Sequence, residues 1–537
     1  MTLQTDWVGR ANVVALIATL KHKFRADRRD VRTHRGTVAP EQRATRDRAV
    51  SRRSELASEL HLSQTMVAPT YATPSHPTPR RLLLVSYHFP PGTAVGGLRW
   101  QKLARYAVER GWGLDVMTLD PADLSEHDPE RLADLPHGVR VFGIPAARLR
   151  LETAGDRVWS LVRGWRRATA AGTRAIPGNS NHGAVQRESR SRVDATRGAL
   201  ELRALSRAWF AWLDYARGLQ WANAAALRAL EVFEPGRHQA VVTCGPPHMV
   251  HEAGCRIARA TGLPLIVDLR DPWRLVQRLP ESIASPLWYL LAAYYERRAI
   301  ARAKLVVTNT EPMERALRAL YPAAASRIIT VPNGCDEDQI MLLPPVTCRF
   351  LVAYAGTIYL DRDPRPLFRA AARVIATQRL EPADFGIELM GDVQQFDGAS
   401  VMGIAREEGV ERYVHLRPAG TRREALQFLS QAQLLVVLPQ DSDLAVPAKI
   451  FDYMRCDAWV LALARRDSAV ELLLRGSRAD VLAPGDVPGI ARLLADRVTQ
   501  FRRGDRPVRL SEDPRFSRRA MADRLFGAIE TLPCAAS

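Results

Sequence analysis

Two successive runs of short apolar segments alternating with helical patterns constrain this chain more than any other feature. The first runs from Arg81 to Val331 and the second begins at Phe350. Apolar runs of four to eight residues, bounded by Gly or Pro, are what strands buried on both faces look like. A helix between consecutive strands forces a parallel crossover. In the first run strands are expected at 82–85, 114–118, 138–144, 240–243, 264–269, 304–308 and 327–331, with helices at 98–110, 250–261, 287–302 and 311–321 between some of them. In the second run strands are expected at 350–354, 386–390, 414–416, 434–438 and 459–464, with helices at 364–378 and 422–431. The fold class is therefore α/β: two Rossmann-like, doubly wound parallel sheets, each with its ligand edge at the carboxyl ends of its strands.

A chain of 537 residues that is 47% hydrophobic and 25% charged can fill two such cores. The expected division is a basic, disordered extension over 1–80, a first domain over 81–335, a second over 349–510 and a terminal segment over 511–537. The extension is Arg-dense over 21–53 and rich in Pro, Thr and Ser over 68–79, so it has little to bury. Met66, just before the first strand, is an alternative start. A helix over 517–532 closes the chain and leaves open a return to the first domain. Residues 151–233 interrupt the first domain's alternation. They read as an amphipathic helix over 157–167 carrying Trp165 among arginines, a polar loop over 171–198 and a Trp-rich helix over 201–233.

The formal charge of +18 attracts anions of some kind. No helix-turn-helix, zinc-finger or aromatic RNA-binding signature is present, so no specific nucleic-acid partner is expected. The cysteines (Cys244, Cys255, Cys335, Cys348, Cys456 and Cys534) lack metal-ligand spacing and read as buried thiols in a reducing compartment. Neither a structural metal nor a cofactor is expected. No apolar run reaches the roughly 20 residues of a membrane span, and the N-terminal stretch lacks a secretory signal's pattern. A cytoplasmic protein is expected. Arg with Trp on the 157–167 helix would suit the face of an anionic membrane.

Five segments follow strands and carry polar chemistry. Gly96 and Gly97 precede a helix, where glycines let backbone amides approach a phosphate or simply make a turn. Pro246 and Pro247 fix a turn that presents His248. Asp268, Arg270 and Asp271 end another strand and could bind hydroxyls, a phosphate or one another. Gly356 and Thr357 follow the second domain's first strand, with Arg362 and Arg365 beyond. Lys449 opens a helix containing Asp452; Lys449 facing Arg362 would suit a diphosphate, and Asp452 a ribose.

The order of these segments resembles the retaining glycosyltransferase family 4 group, whose fold is GT-B: two Rossmann-like domains facing across a cleft. The resemblance spans 81–532 and rests on Val85-Ser86-Tyr87-His88-Phe89-Pro90-Pro91 with Gly96, Gly97 and Arg99, on Gly245–His248, Asp268–Trp273, Pro332-Asn333-Gly334, Ala355-Gly356-Thr357 and Lys449–Tyr453. It implies transfer of a sugar from a nucleotide-diphosphate sugar to a saccharide or lipid-linked acceptor, with retention, without a metal, in cell-envelope or exopolysaccharide synthesis. It puts Gly96, Gly97, Gly356, Thr357, Arg362, Lys449 and Asp452 at the donor, and Arg99, His248, Arg270 and Asp271 at the acceptor. Asp271, His248, Lys449 and Arg362 become the catalytic candidates. The family pairs two glutamates separated by seven residues; here Asp452 holds the second position and Leu444 the first. That departure motivates an alternative, a catalytically silent scaffold or nucleotide-binding protein. A nucleotide-sugar epimerase is a further enzymatic alternative.

Overall fold

The structure is a computed structural model describing residues 80–147, 149, 185–336 and 348–533, without the side chains of 185–202. The expected extension, the 157–167 helix and Cys534 fall outside the described residues.

The first domain is a seven-stranded parallel sheet in the order β3-β2-β1-β4-β5-β6-β7. Its strands are β1 (Arg80–Ser86), β2 (Trp112–Leu119), β3 (Val139–Ile144), β4 (His238–Gly245), β5 (Leu265–Leu269), β6 (Leu305–Thr308) and β7 (Ile328–Thr330). Helices α1 (Leu98–Glu109), α2 (Val185–Glu231), α3 (Val250–Thr261), α4 (Pro286–Arg302) and α5 (Glu311–Leu320) connect them. β1 shows why its segment is uniformly apolar. Leu82 and Leu84 pack with Trp100 and Leu103 of α1, whereas Leu83 and Val85 pack with Trp221 of α2 and Met249 beside α3. Both faces are covered, so the two-residue alternation of a half-exposed strand disappears. At the opposite end of the sheet from the strands' carboxyl ends, fully buried Asp115 accepts from Arg81, Arg140 and His238.

The second domain repeats the scheme with six parallel strands in the order β10-β9-β8-β11-β12-β13. These are β8 (Phe350–Ala355), β9 (Phe385–Met390), β10 (Val414–Arg417), β11 (Leu434–Val437), β12 (Trp459–Leu463) and β13 (Asp480–Leu482). Helices α6 (Arg365–Gln378), α7 (Val401–Glu407) and α11 (Val487–Arg502) cover one face. Helices α8 (Arg422–Leu429), α9 (Lys449–Tyr453) and α10 (Ala469–Leu474) cover the other. Both sheets reverse their winding beside their first strand, which opens a crevice at the carboxyl ends of β1 and β4 and of β8 and β11.

The last helix, α12 (Arg518–Glu530), leaves the second domain and packs on the first. Its Phe526 meets Trp100 edge-on at 6.3 Å, and Leu525 and Ile529 join the same buried cluster.

Three expectations are corrected. Residues 185–198, expected as loop, belong to the 47-residue α2. Their polarity reflects charged and small helix formers, with Gly198 the one strong breaker, and a lone glycine costs a helix only about 1 kcal/mol. Strand β13 was not expected, because its three residues at the sheet edge are only half-buried and offer no apolar run. Cys348 is exposed, whereas Cys244, Cys255, Cys335 and Cys456 are buried as expected.

Candidate active site in the interdomain cleft

The carboxyl edges of the two sheets face a shared cavity of about 390 Å³. The first domain lines it with Gly96, Arg270, Asp271, Asn309 and Asn333, and the second with Tyr359, Arg362, Gln440, Asp441 and Asp452. Seven cationic side chains (Arg99, Lys102, Arg270, Arg362, Arg422, Arg455, Arg518) face four carboxylates (Asp271, Asp336, Asp441, Asp452) across the lining. Such an excess, in a concave site, favours an anionic ligand.

On the first domain's side the predicted residues divide. Gly96 lines the cleft, and its carbonyl accepts from Arg270 Nη1 at 2.6 Å. A Cβ at Gly96 would stand 2.6 Å from that same guanidinium, so only glycine lets Arg270 close over the loop. Arg270 in turn holds Asp271 at 3.3 Å, leaving the half-exposed Asp271 carboxylate at the cleft. Gly97 lies behind the lining, where a Cβ would sit 3.1 Å from the Phe89 backbone; it serves close packing rather than a ligand.

Arg99 reaches the cleft but is committed to the scaffold. Its Nε donates to Asp268 at 2.8 Å, Nη1 to Asn333 at 3.0 Å and Nη2 to the Val331 carbonyl at 2.9 Å. Asp268 also accepts from Trp100 Nε1 at 2.8 Å. The pair ties α1 to the ends of β5 and β7, and Arg99 remains part of the cleft lining.

His248 is the clearest correction. It does not line the cleft. The Pro246-Pro247 turn tucks its ring against Trp273, stacked at 5.0 Å and 14°, with His251 5.8 Å away. Burial and the neighbouring Arg270 charge hold His248 well below the usual imidazole range. It is neutral at pH 7 and sits in a separate cavity.

On the second domain's side Gly356, Thr357, Arg362 and Lys449 form one unit, of which Arg362 lines the cleft while the other three stand behind the lining. Gly356 has φ +138, and a Cβ there would fall 2.2 Å from Lys449 Nζ. The Thr357 carbonyl accepts from Tyr354 Oη at 2.8 Å and from Arg362 Nη1 at 2.9 Å. Arg362 Nη2 reaches Gln440 at 3.2 Å, and its guanidinium lies over the Tyr359 ring at 4.2 Å. Lys449 Nζ stands 4.0 Å over the Tyr354 ring. Lys449 Nζ and Arg362 Nε are both buried without a hydrogen-bond partner among the described residues. Burial, with the Arg362 charge beside it, brings the Lys449 ammonium down to about 7. A buried ammonium nitrogen without a hydrogen-bond partner, as in Lys449, costs stability unless something compensates it. Helix α9 has only five residues, so charge, rather than a helix dipole, is what this corner offers.

Asp452 lines the cleft, but its Oδ1 already accepts from Arg422 at 2.7 Å, with Arg455 at 3.8 Å. Burial raises its carboxyl pKa against those charges. At the expected glutamate position, the Leu444 carbonyl accepts from Thr310 Oγ1 at 2.6 Å, a contact between the two domains. The carboxylate that faces the cleft nearby is Asp441, three residues earlier.

Sequence reasoning missed Lys102, Asp336, Arg422, Arg455 and Arg518 in the lining. Asp336 pairs with Lys102 at 3.3 Å and with Arg518 of α12, so three distant segments meet there. Only Asp336, three residues beyond Asn333 of the Pro-Asn-Gly segment, carried a signal.

With this geometry, comparison with known proteins is informative. Residues 187–339 match the model of Glycosyltransferase Family 4. The chain is 27% identical over 275 residues to D-inositol 3-phosphate glycosyltransferase 1 of Catenulispora acidiphila, covering 47% of this chain and 63% of that relative. The match thus spans less than two thirds of the relative's length. Sucrose-phosphate synthase from Thermosynechococcus elongatus superposes with a TM-score of 0.51 at 15% identity, covering 84% of this chain and 98% of that one. A point mutant of S. aureus TarM, in complex with Fondaparinux, alpha-GlcNAc-glycerol and UDP, gives a TM-score of 0.50 at 8% identity, covering 84% and 100%. At these identities the structural likenesses speak for the fold. The chain thus has the GT-B fold and resembles Glycosyltransferase Family 4 over residues 187–339.

Proposed function

We propose that this protein is a glycosyltransferase that moves a hexosyl group from a nucleoside-diphosphate sugar to a saccharide or lipid-linked acceptor, with retention of configuration. The observation that carries the reading is the close pair of half-buried cations, Lys449 and Arg362, each with one buried nitrogen lacking a hydrogen-bond partner, at the carboxyl end of β8. A diphosphate is the ligand whose charge such a corner would neutralise. As the sugar–phosphate bond breaks, negative charge grows on the departing phosphate oxygen. Preorganised cations lower that barrier by a few kcal/mol each. Asp271, on the facing domain and half-exposed, is positioned for an acceptor hydroxyl. In a retaining route the acceptor attacks from the leaving-group side and its proton passes to the donor phosphate, so no protein base is required. The reading includes a cytoplasmic site of action in cell-envelope or exopolysaccharide synthesis, peripheral to an anionic membrane.

A second reading has a specific observation behind it. Leu444 supplies an interdomain contact where a donor-binding carboxylate is expected, and Asp452 is ion-paired. A nucleotide-binding scaffold without turnover would show the same features.

A donor screen separates the two. The protein is incubated with UDP-, GDP-, dTDP- and ADP-sugars and nucleoside diphosphate release is followed. Slow release from one donor, falling by about 10²–10³-fold in Lys449→Ala with the fold intact, is expected. Nucleotide binding without release under any acceptor condition favours the scaffold. Neither binding nor release overturns both.

A further inference from the structure

The first domain holds a second cavity, of about 320 Å³, that the donor reading does not use. Its walls include Tyr87, Tyr215, Trp221, His248, Trp273 and Trp288. These come from the ends of β1, β4 and β5, from α4, and from the inserted helix α2, which supplies Tyr215 and Trp221. The rings interlock. Tyr87 meets Trp221 at 4.9 Å, His248 stacks on Trp273, and Tyr215 meets Trp288 at 5.9 Å while its Oη accepts from Trp273 Nε1 at 3.0 Å. Ala146 and Ala147, small residues just beyond β3, leave room beside Tyr87. The charged groups in the lining, Asp214 and Arg217, are exposed and of opposite sign. The cavity therefore offers aromatic faces and no net charge. That suits an apolar group, in contrast to the cationic cleft.

The two cavities are neighbours along the chain at two points. Tyr87 precedes His88, whose ring abuts Gly96 of the cleft. Trp273 lies two residues beyond Asp271. Arg270, in the cleft lining with Asp271, is also close enough for its charge to act on His248 in the cavity wall, so the side of the cavity nearest the cleft is the one by His248. The volume is at the lower end of ligand-sized pockets, roughly 300–1,000 Å³.

We infer that this aromatic cavity binds an apolar aglycone of the acceptor, an alkyl or isoprenoid chain carrying a sugar, and that α2 is the element that selects it. The inference rests on the transferase reading for the word acceptor, but binding in the cavity stands or falls separately. His248 contributes here as a neutral ring in the wall, which accounts for its distance from the cleft.

The test is direct binding, without turnover. Full-length protein is titrated with n-octyl β-D-glucopyranoside below its micelle concentration, with methyl β-D-glucopyranoside, and separately with UDP and GDP. Heat and tryptophan fluorescence are read together, since Trp221, Trp273 and Trp288 stand in the wall. The octyl glycoside is expected to bind at least ~10-fold tighter than the methyl glycoside, and to shift the emission. Ala147→Trp, which fills the cavity, and Ile283→Glu, which charges it, are each expected to erase that advantage while nucleotide affinity is unchanged. Both are verified by circular dichroism and thermal melting, and either one that folds suffices. Equal affinity for the two glycosides overturns the inference. So does an octyl advantage that survives a folded variant, since the chain would then be binding elsewhere. Octyl binding without nucleotide binding would sink the transferase reading and leave the cavity's assignment in place; nucleotide binding without an octyl advantage would do the reverse.

Discussion

At the scale of single residues, Lys449 makes a sharp prediction because its charge state is poised. In the free protein its ammonium loses a proton near pH 7, whereas a bound diphosphate would favour the charged form and raise that value. Above pH 7, binding must then take up a proton, so affinity falls as pH rises from about 7 towards 9. The terminal phosphate itself titrates near 6 and contributes little over that range. Calorimetry in buffers of different ionisation enthalpy would show proton uptake, and Lys449→Arg, which does not titrate there, should flatten the profile. A flat wild-type profile would remove Lys449 from the diphosphate site. Gly356→Ala tests the same corner through the backbone. Its φ of +138 is open essentially to glycine, and its new Cβ would collide with Lys449 Nζ. A loss of about 1–3 kcal/mol of stability, together with nucleotide binding, is expected in denaturant titration and calorimetry. Neither the torsion nor the collision can be read along the chain, although Gly356 and Lys449 could be picked out by their place after a strand and before a helix. His248 misled for the converse reason. A Pro-Pro-His turn shows that a ring is fixed, but the face it turns to is decided by Trp273, in the loop after β5. Arg99 too is oriented by a distant partner, a carboxylate 169 residues away.

At the scale of elements, legibility follows burial. Strands β1, β4, β5 and β8 are covered on both faces and stand out as apolar runs, so their positions agree with expectation to within a few residues. Strand β13, only half-buried, has no such signature. The first half of α2 is polar in sequence and carries no apolar periodicity by which a helix could be read. Helix α12 shows the limit from the other side: its apolar residues mark a face to bury, yet nothing in them says whether that face belongs to the second domain or the first. The structure puts Phe526 against Trp100 and Leu525 in the same cluster as Leu82. Phe526→Ala should therefore destabilise the first domain, some 400 residues upstream, by about 3–5 kcal/mol, the usual result of emptying an aromatic site. Hydrogen exchange would localise the loss to amides of α1 and β1. If protection fell only in the second domain, the docking of α12 would be wrong.

At the scale of the molecule, charge and exposed apolar surface coincide. Among the described residues no helix is long and apolar enough to cross a membrane. Yet α2 exposes Leu205, Trp209 and Phe210 at 65%, 37% and 43%, with Trp209 stacked on Trp212 at 5.1 Å. Of the tryptophans on α2, Trp221 is buried, whereas Trp209 faces solvent. The adjoining α4 exposes Tyr289, Leu290 and Tyr294, and the two helices are joined by Tyr215 stacked on Tyr295 at 5.7 Å. Arg203 and Arg217 are exposed on α2, in a chain of net charge +18. Aromatics flanked by arginines are what a helix lying at an anionic lipid surface presents. An apolar-tailed acceptor drawn from that surface would reach the aromatic cavity, whose wall α2 shares. Vesicles of phosphatidylglycerol and phosphatidylcholine should sediment the protein, and phosphatidylcholine alone should do so weakly. Added salt should reduce recovery, since each basic residue near such a surface contributes about 1 kcal/mol through screened attraction. Trp209→Ser with Phe210→Ser removes two inserting rings, each contributing roughly 1.5–3 kcal/mol when buried, so partitioning should fall at least ~10-fold. Nucleotide affinity should not change, because both residues lie on α2, outside the cleft lining. Equal recovery on neutral and anionic vesicles would remove the role of charge, and recovery on neither would mean that this face meets something other than lipid.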